Sequence, residues 1–330
     1  MNNLLRLIGR RLIALPIMAI GVTVLVFFLM ELSPTDPAWS ALGDNAADPS
    51  QVKAFNVAHG YVIDDGSATG QPVPVLVRYL NYLLALCHGD FGIYGVGTSH
   101  HVTDLIVPAL PVTLQVTFFG LILAVLFAFP LGVLAALYRD RWPDQVIRVL
   151  SVIFIGTPSF WLAALLVLFG LSVAKGIPVS GPLPGMFDDF GGWAARMFLP
   201  AIALATPVIG QMTRVVRTSV VEELDRDYVR TALGAGIPKP VVIGRNVLRN
   251  ALITPVTVLG LRVGYLMGGA VVIEIIFGIQ GMGKVLVQGV QNNQVEVVQA
   301  AALVVALAFI VVNIIVDMLY LLINPRIRSV

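Results

Sequence analysis

The sequence predicts an all-α integral membrane protein with six transmembrane helices. Only 12% of its 330 residues are charged, while 57% are hydrophobic, whereas an average soluble domain carries about 25% charged residues. The apolar residues also gather into long runs with few or no charges, and a helix needs about 20 such residues to cross a bilayer. Because a soluble fold could not bury this much apolar surface, the composition indicates a membrane protein.

Six apolar runs can be read along the chain. The fifth is interrupted by Arg262 and resumes beyond it, so we interpret it as one helix that carries a charge inside the membrane. The runs cover residues 12–30, 105–138, 149–174, 197–213, 250–273 and 297–316. An even number of spans predicts that both termini lie on the same side of the membrane.

Positive charge predicts which side that is. Most of the 21 Lys and Arg residues precede the first run, join the second to the third, join the fourth to the fifth, or follow the last. Because such segments stay in the cytoplasm, both termini are expected there. The segments 31–104 and 175–196 are then external, and the first should contain short helices near residues 51–59 and 75–86.

The longest cytoplasmic segment, residues 214–250, has an unusual composition. Acidic residues at 222–227 are expected to begin a short helix, and Gly236 with Pro238 is expected to end it. The segment could be a solvated connector at the membrane surface. It could equally present a helix small enough to insert into a cleft on a partner protein.

Several strings in the chain resemble one family of transporters. Arg230, Thr231 and Ala232, followed after three residues by Gly236, resemble the Glu-Ala-Ala-x-x-x-Gly loop of binding-protein-dependent ABC importer permeases, with Arg230 in place of Glu. The dipeptide, oligopeptide and nickel branch of that family, and above all its B-type subunit, is similar to this chain in further strings. These are residues 227–232, 248–252 and 89–92, Glu274 with Phe277, Asp317 with Tyr320, and 324–328.

The resemblance implies the type I ABC importer permease fold and a division into three parts. Residues 1–104 would hold the first helix and an external region, 105–323 a five-helix permease domain, and 324–330 a cytoplasmic tail. Within the permease domain, the loop 214–250 would dock on an ATPase subunit. The residues that would couple this chain to the ATPase are Asp227, Tyr228, Arg230, Thr231, Ala232 and Gly236.

The resemblance also implies partners. A second homologous permease, two ATP-binding subunits and an external substrate-binding protein would complete an importer inserted in membrane lipid. ATP and Mg²⁺ would be bound by the partner subunits, so this chain is expected to hold no cofactor and to be no enzyme. Peptides are the expected cargo, and nickel or another small solute is the alternative.

Charged residues and glycines inside the spans are further candidates. A charge within the bilayer is costly unless it faces protein or water, so Arg262 and Glu274 are candidates for the translocation path, and structural pairing is the alternative for both and for Asp317. Arg262 could attract a peptide carboxylate. A stripe of glycines at intervals of four predicts close helix packing. Its members are Gly260, Gly264 and Gly268.

Other classes of function fit the sequence less well. The spacing from Gly278 to Lys284 is that of a phosphate-binding loop, but Val285 stands where Ser or Thr is needed. An intramembrane hydrolase would need a His at membrane depth or paired carboxylates, and a secondary transporter would be expected to show repeated halves. We expect His100 and His101 to be solvated rather than metal ligands. The sequence contains no separate basic domain of the kind that would suggest nucleic-acid binding.

Overall fold

The computed structural model describes residues 2–32, 36–95, 100–173, 176 and 178–323, so the predicted tail at 324–330 and the string at 324–328 lie outside the described residues. Helices dominate the described part of the chain. They are α1 (Asn2–Glu31), α2 (Pro37–Leu42), α3 (Pro49–Ala58), α4 (Val75–Cys87), α5 (Thr103–Leu137), α6 (Trp142–Gly156), α7 (Ser159–Ser172), α8 (Phe190–Leu224), α9 (Asp227–Gly234), α10 (Lys239–Val241), α11 (Leu248–Ala251), α12 (Ile253–Phe277), α13 (Met282–Gln291) and α14 (Val295–Ile323).

Short elements complete the described fold. A 3₁₀ turn spans Gly43–Ala47, and one turn of π-helix spans Val242–Val247. Two antiparallel pairs of two-residue strands are formed by β1 (Val62–Ile63) with β2 (Gln71–Pro72) and by β3 (Ile93–Tyr94) with β4 (His100–His101). The fold is therefore all-α in character, as predicted.

Five described helices, α1, α5, α8, α12 and α14, are long and apolar enough to cross a membrane. They coincide with five of the six predicted runs. The third run, 149–174, instead gives α6 and α7, which meet at an angle of 99° and provide a sixth span only if they are counted together. Pro158 explains the break, because proline disfavours helical backbone at the residue before it, and Thr157 is extended (φ −87°, ψ 115°).

The chain forms two compact units. The first comprises residues 1–8, 113–279 and 311–330, and the second comprises 9–112 and 280–310. Each unit thus collects segments that are distant in the sequence. The predicted division at residues 104 and 323 follows chain order and stays a prediction.

Helix α8 is the centre of the first unit. It packs against α6, α7 and α12. In the apolar 18-residue stretch of α8, 72% is buried, compared with 17% in the corresponding stretch of α1 in the second unit. Two glycines let neighbouring helices come close to it. A methyl group on Gly210 would lie 2.6 Å from the carbonyl oxygen of Ser151, and one on Gly132 would lie 2.6 Å from Cβ of Val216. Neither glycine was predicted as a packing position.

The predicted glycine stripe lies on α12. A methyl group on Gly260 would collide with Val316 of α14, so the two helices pack closely at this point. A methyl group on Gly268 would meet no described atom within 4 Å. Close packing at Gly264 and Gly268 stays a prediction.

The second unit contains the helices predicted between the first two spans. Helix α3 begins at Pro49, where the carboxylate of Asp48 accepts a hydrogen bond from the Ser50 amide, the usual start of a helix. Helix α4 covers the second predicted segment, so both predictions are confirmed. A buried apolar cluster joins the starts of α5 and α14 to α13 and includes Val102, Ile106, Met282, Val285, Val297 and Ala301.

Candidate functional site

The candidate site is the surface formed by residues 225–252, between α8 and α12. The predicted helix begins at Asp227, because Glu222 and Glu223 belong to the last turn of α8. The break falls at Asp225 and Arg226, and Arg226 is extended (φ −71°, ψ 145°). The predicted acidic start is therefore confirmed at Asp227, the last of the acidic residues at 222–227.

The end of α9 is set by Gly236, as predicted. Gly236 has a positive φ of 77°, which most other residues adopt only at a cost. Its amide donates to the carbonyl of Leu233 (3.0 Å), and the Ile237 amide donates to the carbonyl of Ala232 (3.2 Å). These two bonds form a Schellman motif, which satisfies carbonyls that the helix end leaves free. Helix α9 is thus a short, well-terminated element.

The two faces of α9 have different roles. Val229 is buried, and Tyr228 and Ala232 are partly buried against it, in a cluster formed with the end of α8 and with residues 242–252. The opposite face is open. Asp227 is 97% exposed and Arg230 is 76% exposed at their side chains, and Thr231 and Gly236 are also exposed. The six predicted coupling residues therefore divide into an outward set and an inward set.

The inward residue Tyr228 also makes a polar contact. Its hydroxyl donates to Oε1 of Glu223 at 2.9 Å. Burial raises the pKa of Tyr228, and the hydrogen bond to Glu223 raises it further, while a hydrogen bond with Asn250 acts in the opposite direction. The phenol therefore stays protonated and holds α9 against the end of α8.

Sequence reasoning missed a buried carboxylate at the start of α6. Asp144, at the start of α6, is fully buried and accepts two hydrogen bonds from Arg217 of α8, at 2.6 and 2.7 Å. Arg148 donates to it at 3.1 Å, and the Asp140 amide donates at 2.9 Å. Such bidentate, charge-assisted pairing is among the strongest polar contacts in proteins. The signal available in the sequence was an acidic residue among the arginines of a predicted cytoplasmic loop.

Comparison with known proteins decides the family. Residues 128–329 match the family described as "Binding-protein-dependent transport system inner membrane component". The chain belongs to this family. It is 33% identical to the probable D,D-dipeptide transport system permease protein of Escherichia coli (strain K12), over 97% of each chain. It is 36% identical to the glutathione transport system permease protein of Salmonella typhimurium, over 98% of this chain and 99% of that protein.

This inner membrane component is therefore a multi-pass transport subunit. Within its α12, Arg262 and Glu274 lie twelve residues apart, or about 18 Å along a helix axis. The structure does not bring them into one site. Arg262 is partly exposed, and its Nε is buried without a hydrogen-bond partner among the described residues. Glu274 is fully buried, and the Asp317 side chain lies outside the described part. A place on the translocation path stays a prediction for both residues on α12.

The permease also has a buried cation that sequence reasoning did not single out. Arg196 of α8 is 2% exposed and donates to the carbonyl oxygens of Val179 (2.8 Å) and Phe277 (2.6 Å). Because Phe277 is the last residue of α12, the guanidinium also interacts favourably with the negative end of that helix. A lone arginine at the start of an apolar run was the signal in the sequence.

The remaining candidates of the permease are the two adjacent histidines and the segment from Gly278 to Lys284. His100 and His101 form β4 and are exposed. Among the described residues, no group of three or more His, Cys, Asp or Glu side chains could hold a metal ion. Lys284 lies within α13, while Gly278 ends α12, so the two ends of the apparent phosphate loop belong to different helices.

Proposed function

We propose that this permease forms half of the translocation pathway of an ATP-driven importer for short peptides. A second homologous permease would form the other half, two ATP-binding subunits would bind ATP and Mg²⁺, and an external binding protein would deliver the cargo. The observation that carries the proposal is the two-sided packing of α9, which fixes one face to the membrane helices and leaves the other open to a partner.

The expected cargo follows from the names of the relatives. One is named for a D,D-dipeptide and another for glutathione, which is a tripeptide. Both are short peptides, and both relatives match this chain over nearly its whole length. These two names support a peptide as the cargo rather than nickel or another small solute.

Coupling would run from the partner surface into the membrane through a short series of contacts. The outward face of α9, with Asp227, Arg230 and Thr231, would meet the ATP-binding subunit. Its inward face shares a buried cluster with Val216 and Val220 of α8, and α9 contacts the π-helical turn Val242–Val247, which itself contacts α8. Since α8 also packs against α6, α7 and α12, a displacement of α9 would move several helices together, as alternating access requires.

The buried ion pair of Asp144 and Arg217 would make this transmission stiff. It fixes the start of α6 to α8 at the end nearest α9, and Arg139 adds a 3.0 Å contact to Asp225 in the break between α8 and α9. With the termini in the cytoplasm, as positive charge predicts, all of these contacts lie on the side where ATP is available.

The docking role of α9 can be tested with two threonines. Thr231 is exposed on the outward face of α9, and Thr218 is exposed on α8. Thr231→Trp should weaken co-purification of the ATP-binding subunits and lower peptide-stimulated ATP hydrolysis by about tenfold, because a bulky ring would not fit a packed interface. Thr218→Trp should retain both properties.

The measurement compares ATP hydrolysis and subunit recovery for the complex in mild detergent. If Thr231→Trp retains full coupling while the complex assembles normally, α9 is not the docking element. If no ATP-binding subunit accompanies the wild-type permease, the importer assignment itself loses its support.

A further inference from the structure

A cavity of about 420 Å³ opens within the second unit. This volume lies in the range of about 300 to 1,000 Å³ that is usual for sites of small ligands. Its walls come from the ends of α1 and α3, from α4, from the turn at residues 89–92 and from the first turns of α14. The side chains that matter for the argument are Glu31, His59, Tyr61, Arg78, Asp90 and Glu296.

The turn at residues 89–92 is one of the strings that resemble the peptide branch. It is not part of the α9 surface, so the proposed docking of ATP-binding subunits does not explain it. Asp90 Oδ1 accepts a hydrogen bond from the Gly92 amide at 2.9 Å. Gly92 has a φ of 89°, and a Cβ atom at this position would lie 3.3 Å from Cγ of Glu296. The turn therefore places the backbone of Gly92 directly against Glu296, and both carboxylates line the same cavity.

The charges of the cavity are unequal. Arg78 is already engaged, because it lies 2.9 Å from Oε2 of Glu31 and 4.4 Å from the ring centre of Tyr61. Glu296 contacts Nδ1 of His59 at 2.7 Å. Asp90 has no basic partner among the described residues. Three carboxylates thus face one permanent cation, so the cavity is negative.

The aromatic residues around these charges are consistent with a negative, partly dehydrated environment. Tyr61 and Phe91 line the cavity with the acidic groups. Burial raises the pKa of Tyr61, and the charge of Glu296 raises it further. A positively charged group would be favoured here by the carboxylates, and an aromatic ring face also attracts cations.

We propose that this cavity is a subsite for the ammonium end of a short peptide, with Asp90 as the carboxylate that the ammonium group meets. The inference rests on the proposed function and extends it by assigning part of the peptide to a place within this chain. The side chains and the carboxylate end of the peptide would extend toward the opening of the cavity. The subsite would therefore recognise a free amino terminus and accept peptides of different sequence.

Two aspartates allow a matched test. Asp90→Asn removes the charge and keeps the oxygen that accepts from Gly92. Asp65→Asn is the control, because Asp65 also accepts from a backbone amide two residues on, that of Ser67 at 3.0 Å, and does not line the cavity. Trialanine and N-acetyl-trialanine provide the probes, since acetylation converts the ammonium group into an uncharged amide and leaves the rest of the peptide unchanged.

Binding of both probes is measured on the purified complex without the external binding protein, by isothermal titration. Trialanine should bind wild type and Asp65→Asn equally and Asp90→Asn about fivefold more weakly, the size expected for a partly solvated ion pair. N-acetyl-trialanine should bind all three proteins equally weakly. Equal affinity of wild type for the two probes, or equal affinity of wild type and Asp90→Asn for trialanine, would overturn the subsite.

A second experiment distinguishes failure of the subsite from failure of the proposed function. ATP-driven uptake of trialanine into proteoliposomes is measured with the binding protein present. Uptake by wild type together with unchanged trialanine affinity in Asp90→Asn would reject the subsite alone. Absence of uptake of any peptide would reject the proposed function and the subsite with it. If Asp90→Asn unfolds at a lower temperature than wild type, its affinity is not used. The affinities of wild type for trialanine and N-acetyl-trialanine then decide whether the subsite exists.

Discussion

At the scale of single residues, Asp144 is a side chain on which several polar contacts converge. It is fully buried and receives hydrogen bonds from Arg217, Arg148 and the Asp140 amide. A buried carboxylate is tolerable only when it is paired and hydrogen-bonded. Two helices and the loop before α6 are thereby held at one point.

Replacing Asp144 should therefore destabilise the permease. Asp144→Asn keeps the shape of the side chain but leaves Arg217 without its charge partner, and removal of one partner of a buried pair typically costs about 3 to 5 kcal/mol. Because the side chain of Arg217 is 23% exposed, water would partly solvate it, and we expect a loss of about 2 kcal/mol.

The control is Asp140→Asn. Asp140 is 75% exposed, and its contacts to Arg139 and Arg148 are 3.5 and 4.0 Å long, so its loss should cost less than about 0.5 kcal/mol. Unfolding of the purified complex in detergent, followed by helical circular dichroism, measures both variants. Equal stability of the two would show that the buried pair does not hold α6 to α8.

At the scale of elements, α9 illustrates how a helix of eight residues persists on a surface. Isolated helices of this length are unstable in water, so its stability comes from the apolar cluster beneath it and from its termination. The termination depends on the left-handed conformation of Gly236, whereas Gly234 is an ordinary helical residue. Both glycines are exposed, and an added methyl group would meet no described atom within 4 Å of either.

These two glycines should respond in opposite directions to the same substitution. Gly236→Ala should destabilise α9 by about 1 kcal/mol, because alanine disfavours positive φ. Gly234→Ala should stabilise it by about 0.5 kcal/mol, because alanine is the better helix former. Amide hydrogen exchange in residues 227–237 measures the difference, and equal exchange rates in both variants would contradict the helix end described here.

At the scale of the whole molecule, the orientation in the membrane determines which surface meets which partner. If ATP-binding subunits dock on the α9 surface, that surface must lie on the cytoplasmic side of the membrane. If peptides enter the cavity of the second unit, that cavity must lie on the external side. Both requirements agree with the distribution of Lys and Arg. Cys87, the single cysteine of the chain, is exposed at the end of α4 and reports this orientation directly.

In intact cells, a membrane-impermeant maleimide should therefore label Cys87. In a Cys87→Ser background, a cysteine introduced by Arg141→Cys, at an exposed position between α5 and α6, should react only after the membrane is made permeable. Labelling in the reverse pattern would invert the topology and move the α9 surface to the outside. Blocking with a permeant thiol reagent before labelling provides the control for specificity.

The sequence was most informative where structure depends on local composition. Five spans, α3 and α4 are confirmed, because long apolar runs and helical periodicity act within one segment of the chain. The acidic start of α9 is confirmed at Asp227, whereas Glu222 and Glu223, which the sequence grouped with it, continue α8. The bend of 99° between α6 and α7 falls at a proline inside an apolar run, Pro158, but the size of the bend was not predicted, since a proline inside a span can kink a helix slightly or break it, and packing decides between the two.

By itself, then, the sequence determined the membrane environment, the number and order of the apolar segments, and the family to which the chain belongs, because each of these depends on residues near one another in the chain. Only the tertiary structure decided that Tyr228 and Ala232 face inward while Arg230 and Thr231 face out, that Asp144 pairs with Arg217, and that Asp90 and Glu296 line one cavity. These facts depend on contacts between residues far apart in the sequence, and such contacts are set by the packing of whole helices rather than by any local pattern.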